Sequence, residues 1–283
     1  MSALDIKNLS YTYNKGTDFE KKAVDNISLS LNDGEIVGII GHTGSGKSTF
    51  VKMLNGIIKP TFGNIFLYGK DIWKDYKNKK EIYFKVGLVF QYPEKQLFSQ
   101  TVYEDIAFGP RNIGLSEKEV EEKVIESLKF VGIQKNFLKR SPFELSGGEK
   151  RRVAIAGIFA MSPSILILDE PTSGLDPISR ENIINNILDY HNYKNGVIIF
   201  ISHYMEEIAK ICDRVVVMDR GKIKMVGTPE DIFCECNNLK SINLDVPQIT
   251  KIVSNIYSEG YNINKKVVTV EKGTHEILTL LKK

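Results

Sequence analysis

The chain has 283 residues and a net charge of only +3, because 38 lysines and arginines nearly balance 35 aspartates and glutamates. This balance argues against a strongly basic nucleic-acid-binding protein, and the length predicts one large domain or a domain with an appendage. Residues 1–30 lack the features of a signal peptide and no run of about 18 apolar residues occurs, so we expect a chain that is soluble and cytoplasmic on its own. Cys212, Cys234 and Cys236 are expected to be reduced thiols, since one Cys-x-Cys without a second pair is a poor zinc site.

Two β-strands are predicted at the start of the chain, over residues 4–11 and 23–31. In the second, branched aliphatic residues alternate with serines, which is the pattern of a half-buried antiparallel strand. The aromatic residues Tyr11 and Tyr13 lie between the two strands. From the pattern alone, an aromatic ring at this place fits a stacking contact with a nucleotide base and a half-exposed strand residue equally well.

A phosphate-binding loop of the form G-x-x-x-x-G-K-[ST] follows the next predicted strand, residues 35–40, and precedes a helix predicted over residues 47–55. Its glycines let the backbone wrap a phosphate chain, and the helix N-terminus adds partial positive charge. Lys47 is placed to reach the β- and γ-phosphates, and the Ser48 hydroxyl is placed to bind Mg²⁺. We therefore predict a nucleoside triphosphate site that consists of Gly41, His42, Thr43, Gly44, Ser45, Gly46, Lys47, Ser48 and Thr49.

The chain after this helix predicts a short strand over residues 64–68 and, in the lysine-rich residues 73–85, a solvated surface segment. Residues 86–90 then form a compact apolar run of strand length, with Gln91 at its C-terminal end. Because ligands of open α/β sheets collect at the C-terminal ends of strands, Gln91 is expected to face the nucleotide site.

A helical insert is predicted over about residues 92–162, within a chain that is otherwise α/β. Ser116 and Glu119 have the spacing of a capping box, at the start of a helix that Gly132 ends. Residues 92–111 are rich in aromatic side chains and show no clear period, so the pattern assigns no element to them.

The segment Leu145-Ser146-Gly147-Gly148-Glu149 opens another helix of the insert. Ser146 and Glu149 again have capping-box spacing, which also suits an ordinary helix start. However, two glycines in the first turn weaken a helix by roughly 1 kcal/mol each and leave bare N–H groups at its positive end. A second anion site, distinct from the phosphate-binding loop, is therefore predicted at Ser146, Gly147 and Gly148.

Two adjacent carboxylates end a predicted buried strand, residues 165–168. A parallel strand of this kind places its acids at the C-terminal edge of the sheet, and adjacent residues point in different directions. Asp169 is predicted to hold Mg²⁺, directly or through water, and Glu170 is predicted to orient or deprotonate the attacking water.

Two further polar residues follow the acids. Asp176 precedes Pro177 at a predicted helix start, where a simple N-cap accounts for it as well as a functional role does. His203 stands at the end of another predicted core strand, residues 196–201, and is a candidate for contacting the γ-phosphate. Residues 214–218 and 222–226 then predict a closing hairpin.

In this order, the motifs resemble those of the ATPase subunits of ATP-binding cassette (ABC) transporters, over about residues 4–233. The matching motifs are the loop from Gly41 to Ser48, Gln91, the segment from Leu145 to Glu149, residues 165–170 and His203. The resemblance implies an α/β domain over residues 1–233, with a phosphate-loop core sheet, an antiparallel β subdomain and the helical insert. Residues 234–283 then form a small C-terminal extension and a candidate dimer contact, with helices predicted over residues 247–259 and 274–283.

Membership of this family implies a head-to-tail dimer that sandwiches two ATP molecules with Mg²⁺. The partner's nucleotide would be contacted by Ser146, Gly147 and Gly148. Asp176 would lie in a loop across the interface, and Gln91 would sense the γ-phosphate or Mg²⁺. Tyr13 matches the adenine-stacking position of the family.

A finer resemblance, in residues 91–98 and 101–110 and more weakly from residue 245, is to the energy-coupling factor (ECF) importers, which include the cobalt ATPases. Such importers pair two similar ATPases with a membrane coupling protein and a small membrane subunit that captures the substrate. The resemblance therefore implies an ATPase that powers uptake of a vitamin or a transition-metal ion at the cytoplasmic face of the membrane, with no nucleic-acid partner. It leaves open the substrate and whether the chain pairs with itself or with a similar ATPase. His42, Thr43 and Glu149 depart from the commoner family residues, but these changes remove no donor that the chemistry needs.

Two other classes of function compete with this interpretation. A soluble ABC ATPase that acts on DNA or ribosomes usually carries long coiled-coil insertions or two cassettes, and this sequence has one phosphate-binding loop and no sustained heptads. A cassette that binds ATP but has lost catalysis is disfavoured by the intact Lys47, Asp169, Glu170 and His203.

Overall fold

A computed structural model describes residues 2–76 and 79–281 of the chain. The strands are β1 (Ser2–Tyr13), β2 (Lys21–Asn32), β3 (Ile36–Ile40), β4 (Phe62–Leu67), β5 (Lys70–Asp71), β6 (Val86–Val89), β7 (Ile165–Asp169), β8 (Val197–Ile201), β9 (Arg214–Asp219) and β10 (Lys222–Gly227). The helices are α1 (Lys47–Leu54), α2 (Lys80–Lys85), α3 (Val102–Ile113), α4 (Glu117–Val131), α5 (Gly147–Ala160), α6 (Pro177–Lys194), α7 (Met205–Ile211), α8 (Pro229–Phe233), α9 (Cys236–Lys240), α10 (Gln248–Ser258) and α11 (Val270–Leu281). Short 3-10 turns cover Pro93–Gln96, Lys135–Lys139 and Pro142–Glu144. None of the helices in the described ranges combines the length and apolarity that a membrane span requires.

The strands form two sheets. One is antiparallel, with the order β2-β1-β4-β5, and the other has the order β10-β9-β3-β8-β7-β6. In the second sheet, β9, β3, β8, β7 and β6 run parallel, and β10 is antiparallel to β9 at the edge. The strands β3, β7 and β8 are buried along their whole length, which explains their largely aliphatic sequences. Their C-terminal ends meet at one edge of the sheet, where Gly41, Glu170 and Ser202 follow them.

The parallel sheet separates two hydrophobic cores. In β7, Leu166 and Leu168 pack with the helical insert and α6, whereas Ile165 and Ile167 pack with the antiparallel sheet and α1. This division follows from the two-residue period of a strand, because successive side chains point to opposite faces. Burial of apolar surface on both faces fixes the sheet as a rigid platform for the residues at its edge.

The predicted strands and helices are confirmed, with ends that shift by a few residues, and both predicted capping boxes, at Ser116 and Ser146, are formed. The prediction of a solvated surface over residues 73–85 is wrong in part. Ile82 of α2 is 1% exposed, and Trp73 and Tyr76 pack against the core beneath the antiparallel sheet. Apolar residues spaced among the lysines anchor this segment, of which residues 77 and 78 lie outside the described residues.

The pattern did not predict helix α3. Thr101 caps its N-terminus by accepting a hydrogen bond from the Glu104 N–H. Gly109 and Pro110 are poor helix formers and obscure its period. The absent side chain of Gly109 makes room for Met161 at the end of α5, since a Cβ there would lie 2.6 Å from the Met161 side chain. Packing against α5 therefore stabilises a helix that its own sequence favours weakly.

The C-terminal extension is not fully separate from the rest of the chain. Leu239 is completely buried in the core that contains the helical insert, and Leu244 packs in the same core. Helices α10 and α11 form a small cluster of their own around Val253 and Val267. The last predicted helix begins earlier than expected, at Val270, and residues 282 and 283 lie outside the described residues.

Candidate nucleotide-binding site

The phosphate-binding loop joins β3 to α1 and requires glycine at two positions. Gly46 has a φ of +105°, and a Cβ there would lie 2.3 Å from the carbonyl oxygen of Ala23. A Cβ on Gly41 would lie 2.5 Å from the carbonyl oxygen of Met218. The neighbouring strands β2 and β9 therefore hold the loop in shape, and a larger residue at either glycine would displace it. Gly46 is also the N-cap of α1 and offers no capping side chain, so the first N–H groups of α1 remain available to an anion.

Lys47 begins α1, and its side chain turns back over the loop. Its Nζ donates hydrogen bonds to the carbonyl oxygens of Gly41, at 2.5 Å, and His42, at 3.2 Å. Burial lowers the pKa of Lys47, and the charges of Glu170 and Asp169 raise it in part. The ammonium group is thus poorly hydrated and lies beside the loop, which favours an anionic ligand there.

The two acids at the end of β7 have different surroundings. Asp169 is 8% exposed, and burial, followed by the charge of Glu170, raises its pKa, while a hydrogen bond with Ser48 lowers it in part. Glu170 has a φ of +53°, and its N–H donates to the carbonyl oxygen of Ile201 in β8 at 3.0 Å. This left-handed backbone is uncommon for a residue other than glycine. Asp169 therefore lies near Ser48 of the loop, while Glu170 is bonded to the neighbouring strand β8 through its backbone.

The Glu170 carboxylate contacts two residues that follow other strands. Its Oε2 accepts a hydrogen bond from Gln91 Nε2 at 3.0 Å, and its Oε1 lies 2.7 Å from His203 Nε2. Gln91 comes after β6 and His203 after β8, so three parallel strands bring the three side chains together. A carboxylate held through both oxygens has a fixed orientation.

A cleft of about 590 Å³ contains six of the nine predicted loop residues together with Tyr13 and the three polar residues Gln91, Glu170 and His203. Among the described residues, its walls consist of Tyr13, Lys21, Ala23, Thr43, Gly44, Gly46, Lys47, Ser48, Thr49, Gln91, Glu170 and His203. The Tyr13 hydroxyl lies 3.1 Å from the Thr49 hydroxyl, and its ring packs edge-on against Tyr11 with centroids 4.8 Å apart. The Tyr13 ring is therefore held at the edge of the cleft by β1 and α1.

Other residues of the loop support it from the side of β9 and β10. The His42 ring lies 2.8 Å from the Thr43 carbonyl oxygen through Nδ1 and 3.1 Å from Asp219 through Nε2. Ser45 is fully buried, and its carbonyl oxygen accepts a hydrogen bond from the Gly221 N–H at 2.9 Å. The turn between β9 and β10 thus braces the loop, which the sequence pattern did not reveal.

The second predicted anion site lies elsewhere: within the described structure, Ser146, Gly147 and Gly148 at the start of α5 do not line the cleft. The Ser146 hydroxyl donates to the Glu149 carboxylate at 2.8 Å and accepts from the Glu149 N–H at 3.4 Å. A Cβ on Gly147 would meet no atom within 4 Å, so the surface of this helix end is open. A second anion site at this open helix end, outside the cleft, therefore stays a prediction.

Asp176 also lies outside the walls of the cleft, as far as the structure describes them. It is the N-cap of α6 and accepts the N–H groups of Ile178, at 3.1 Å, and Ser179, at 3.0 Å. Hydrogen bonds from Ser179 and Ile178 lower its pKa. The structure thus shows the capping contact, and a place at an interface between subunits stays a prediction.

Two buried polar networks near the site were not predicted. Arg151 of α5 pairs with Glu94, and Glu207 of α7 accepts hydrogen bonds from Thr172 at 2.9 Å and Ser202 at 2.7 Å. Each network includes a contact between distant parts of the chain, 57 residues apart for Arg151 and Glu94 and 35 for Thr172 and Glu207, so no local sequence pattern reveals it. The one available signal is chemical, since a charged residue on a buried helix face requires a partner.

Comparison with known proteins identifies the family. Residues 24–173 match the family model of the ABC transporter. Over 279 residues, the chain is 51% identical to the energy-coupling factor transporter ATP-binding protein EcfA2 of Caldanaerobacter subterraneus subsp. tengcongensis, with 99% of this chain and 98% of that protein covered. It is 48% identical to the protein of the same name from Clostridium acetobutylicum, with 98% of each covered.

Solved structures give the same result. The structure of cbiO1 from Clostridium perfringens, part of the ABC transporter complex cbiONQ, matches with a TM-score of 0.75 and 36% identity over 89% of this chain and 99% of that one. The ATP-binding cassette MJ0796, a dimer bound to ADP and Pi, matches with a TM-score of 0.70 and 26% identity over 80% of this chain and 98% of that one.

A phosphate-binding loop beside paired strand-end acids, on this fold, defines a cassette ATPase. The chain belongs to the ABC transporter family and, within it, to the energy-coupling factor transporter ATP-binding proteins. These findings confirm the predicted fold class and favour an importer ATPase over a soluble ABC ATPase that acts on DNA or ribosomes.

Proposed function

We propose that the chain is the ATP-binding and ATP-hydrolysing subunit of an ECF importer, bound at the cytoplasmic face of the cell membrane. ATP hydrolysis would power uptake of a vitamin or a transition-metal ion through partner membrane subunits. The observation that carries the proposal is full-length similarity to ECF ATPases combined with a cleft in which Lys47, Gln91, Glu170 and His203 meet.

ATP would bind with its phosphates in the loop and its base against Tyr13. The loop N–H groups, the start of α1 and the Lys47 ammonium group supply the positive side of the site. Lys21, on the wall of the cleft, adds a second cation. The exposed Tyr13 ring offers the apolar face on which an adenine stacks.

Oxygen donors that suit Mg²⁺ lie together near the loop. Ser48 lies near enough to Asp169 to lower the pKa of its carboxyl group, and the Gln91 side chain lines the same cleft as Ser48. Hydroxyl, carboxylate and amide oxygens are the hard ligands that Mg²⁺ prefers. The donor set fits the ion, so Ser48, Asp169 and Gln91 are the residues that would hold it. When bound, the ion neutralises charge on the phosphate oxygens.

Glu170 is the proposed general base. Its carboxylate is oriented by Gln91 and His203 at the wall of the cleft, where it would orient and deprotonate the water that attacks the γ-phosphorus. The His203 side chain is 45% exposed, so it is also accessible to a γ-phosphate oxygen and would hydrogen-bond it.

A second ATPase chain would complete the site. The start of α5 lies apart from the chain's own cleft and has an open surface, and the MJ0796 cassette with ADP and Pi is dimeric. We therefore infer a head-to-tail pair, in which the nucleotide of one chain is contacted by Ser146, Gly147 and Gly148 of the other. Asp176 would lie in the same interface.

An apolar groove on the helical insert is the proposed contact for the membrane coupling subunit, which would in turn hold the small substrate-capture subunit. The groove has a volume of about 410 Å³ and lies between α3 and α5. Two exposed rings at the groove, Phe98 and Phe108, pack edge to face with centroids 5.0 Å apart. Gln96 and Leu97 also line the groove, so one wall continues directly from the segment after Gln91. A partner seated there would be mechanically linked to the nucleotide site.

The proposal is tested by tagging the chain, solubilising native membranes gently and identifying the proteins that co-purify. A second cassette ATPase with one or two small hydrophobic proteins is the expected result, and the capture subunit would name the substrate. Phe108→Glu should lose the hydrophobic proteins, whereas Phe19→Glu, which changes a ring that is 80% exposed outside the groove, should retain them. Recovery of the chain from the soluble fraction alone, with nucleic acid or ribosomes attached, would contradict the importer assignment.

A further inference from the structure

A buried arginine joins three segments next to the nucleotide site. Arg151, in α5, is 4% exposed. Its Nε and Nη2 atoms donate to the two carboxylate oxygens of Glu94, each at 3.0 Å. Its Nη1 donates to the carbonyl oxygens of Pro171, at 3.3 Å, and Ser173, at 2.6 Å. One guanidinium group thus links α5, the turn that contains Glu94 and the loop that follows Glu170.

Both members of the Arg151–Glu94 pair carry charge in this setting. Burial alone would raise the pKa of Glu94, but the hydrogen bonds from Arg151 hold that pKa below its usual value. A bidentate pair between arginine and a carboxylate has a specific geometry, and a loosely held buried charge is costly. The pair between Arg111 and Glu117, on the same helical insert, has the same bidentate form at 2.9 Å but is exposed. It provides a matched comparison.

The two segments that Arg151 holds together both lead away from the proposed catalytic residues. Glu94 lies in the turn just after Gln91, and Pro171 follows Glu170 directly. At the site itself, Gln91 and Glu170 are hydrogen-bonded at 3.0 Å. The segments are therefore connected twice, once by this contact and once through Arg151. Glu170 has a φ of +53°, a backbone conformation that persists only where the surrounding chain holds it, so the segment that follows Glu170 helps to fix the position of its carboxylate.

We propose that Arg151 is a positioning residue for ATP hydrolysis, which holds Glu170 against Gln91 from helix α5. The inference rests on the proposed roles of Glu170 and Gln91. In the described structure Arg151 is not among the residues that line the cleft, so it should affect turnover and leave ATP binding unchanged. Since Ser146 caps the same helix, Arg151 also connects the second anion-binding helix end to the acid of its own chain.

The experiment uses the transporter complex purified with its partner subunits. Arg151→Lys keeps a positive charge but cannot bond both carboxylate oxygens and both carbonyl oxygens, and Glu94→Gln keeps the shape of the partner without its charge. We expect each change to lower kcat for ATP about tenfold, with KM for ATP within about twofold of the native value. The double variant should be no slower than the slower single variant, because both changes remove one contact. Arg111→Lys should alter neither constant.

Three results would overturn the proposal: a lowered Tm with an unchanged kcat, a raised KM with an unchanged kcat, or losses that multiply in the double variant. If Arg151→Lys does not fold, Glu94→Gln decides alone, and an unchanged kcat in that variant overturns the proposal. Glu170→Gln is measured alongside. Native turnover in Glu170→Gln would show that the proposed role of Glu170 is wrong, whereas loss of turnover there but not in Arg151→Lys would refute the role of Arg151 alone.

Discussion

Replacement of Glu170 by glutamine tests the proposed chemistry with little change in shape. The native carboxylate accepts from Gln91 at 3.0 Å and lies 2.7 Å from His203. Glutamine fills the same space and keeps an amide oxygen for the Gln91 contact, but its neutral amide cannot take a proton from water. A positioned general base contributes about 10² to 10⁴ in rate, which equals about 3 to 5 kcal/mol of activation free energy. We expect kcat to fall at least about a hundredfold.

The same substitution should leave ATP binding intact or strengthen it. Burial lowers the pKa of Lys47, and the Glu170 charge raises it in part, so the carboxylate acts directly on the cation of the loop. A carboxylate also repels a polyphosphate, and two like charges at about 4 Å repel by up to about 4 kcal/mol at an effective dielectric constant of about 20. The substitution removes the repulsion between Glu170 and the phosphates, and this gain offsets the loss of the favourable interaction between the Glu170 charge and the Lys47 ammonium group. A Kd for ATP at or below the native value is therefore expected.

The assay combines phosphate release by the purified complex with an equilibrium titration of ATP. Glu181→Gln is the matched control, because Glu181 is exposed and pairs with Lys210 on the surface. Native turnover in Glu170→Gln would refute the assignment of a general base to this residue. A loss of turnover that follows a parallel loss of ATP binding would show that the substitution damages the site itself, which also contradicts the reasoning.

Three further predictions concern the loop, the buried acids and the metal. Gly46→Ala should abolish nucleotide binding in a titration and lower the Tm, because φ at Gly46 is +105° and the new Cβ would lie 2.3 Å from the Ala23 carbonyl oxygen. Gly114→Ala is the control, since Gly114 has a φ of +93° and a Cβ there would meet no atom within 4 Å. The control should bind ATP normally and lose only about 1–2 kcal/mol of stability through backbone strain. Burial raises the pKa of Glu207 from 4.5, so its ionisation opposes folding and the protein should lose stability as pH rises from about 4.5 through the raised pKa. Glu207→Gln should remove that loss, so a Tm difference between variant and native protein that stays constant with pH would contradict the assignment. Chelation of divalent cations should stop ATP hydrolysis, and added Mg²⁺ should restore it. Asp169→Asn should raise the Mg²⁺ concentration needed for half-maximal activity by about tenfold or more. An unchanged Mg²⁺ requirement in this variant would remove Asp169 from the proposed ligand set.

The features that the sequence predicted correctly depend on residues that are close together in the chain. The capping box at Ser146 and the strand that ends in Asp169 each lie within a short segment, whose pattern reflects local geometry or uniform burial. The features that it missed depend on residues that are far apart. The contact between Arg151 and Glu94 spans 57 residues, and that between His42 and Asp219 spans 177. Helix α3 belongs to the same class, because packing against α5 outweighs the weak propensity of its own sequence.

The arrangement of the two helix ends bears on the proposed head-to-tail pairing of two chains. The start of α1 lies beside Asp169 and Glu170, so it combines an anion-binding end with the proposed metal ligand and base. The start of α5 has an open surface and, in the described structure, does not line the cleft that contains Glu170, so the anion proposed to bind there would not meet the base of its own chain. Two such chains placed head to tail would each supply what the other lacks, which makes hydrolysis conditional on pairing. Arg151 lies on α5 and bonds the loop after Glu170, so the residue proposed to position the base belongs to the helix whose start would contact the partner's nucleotide.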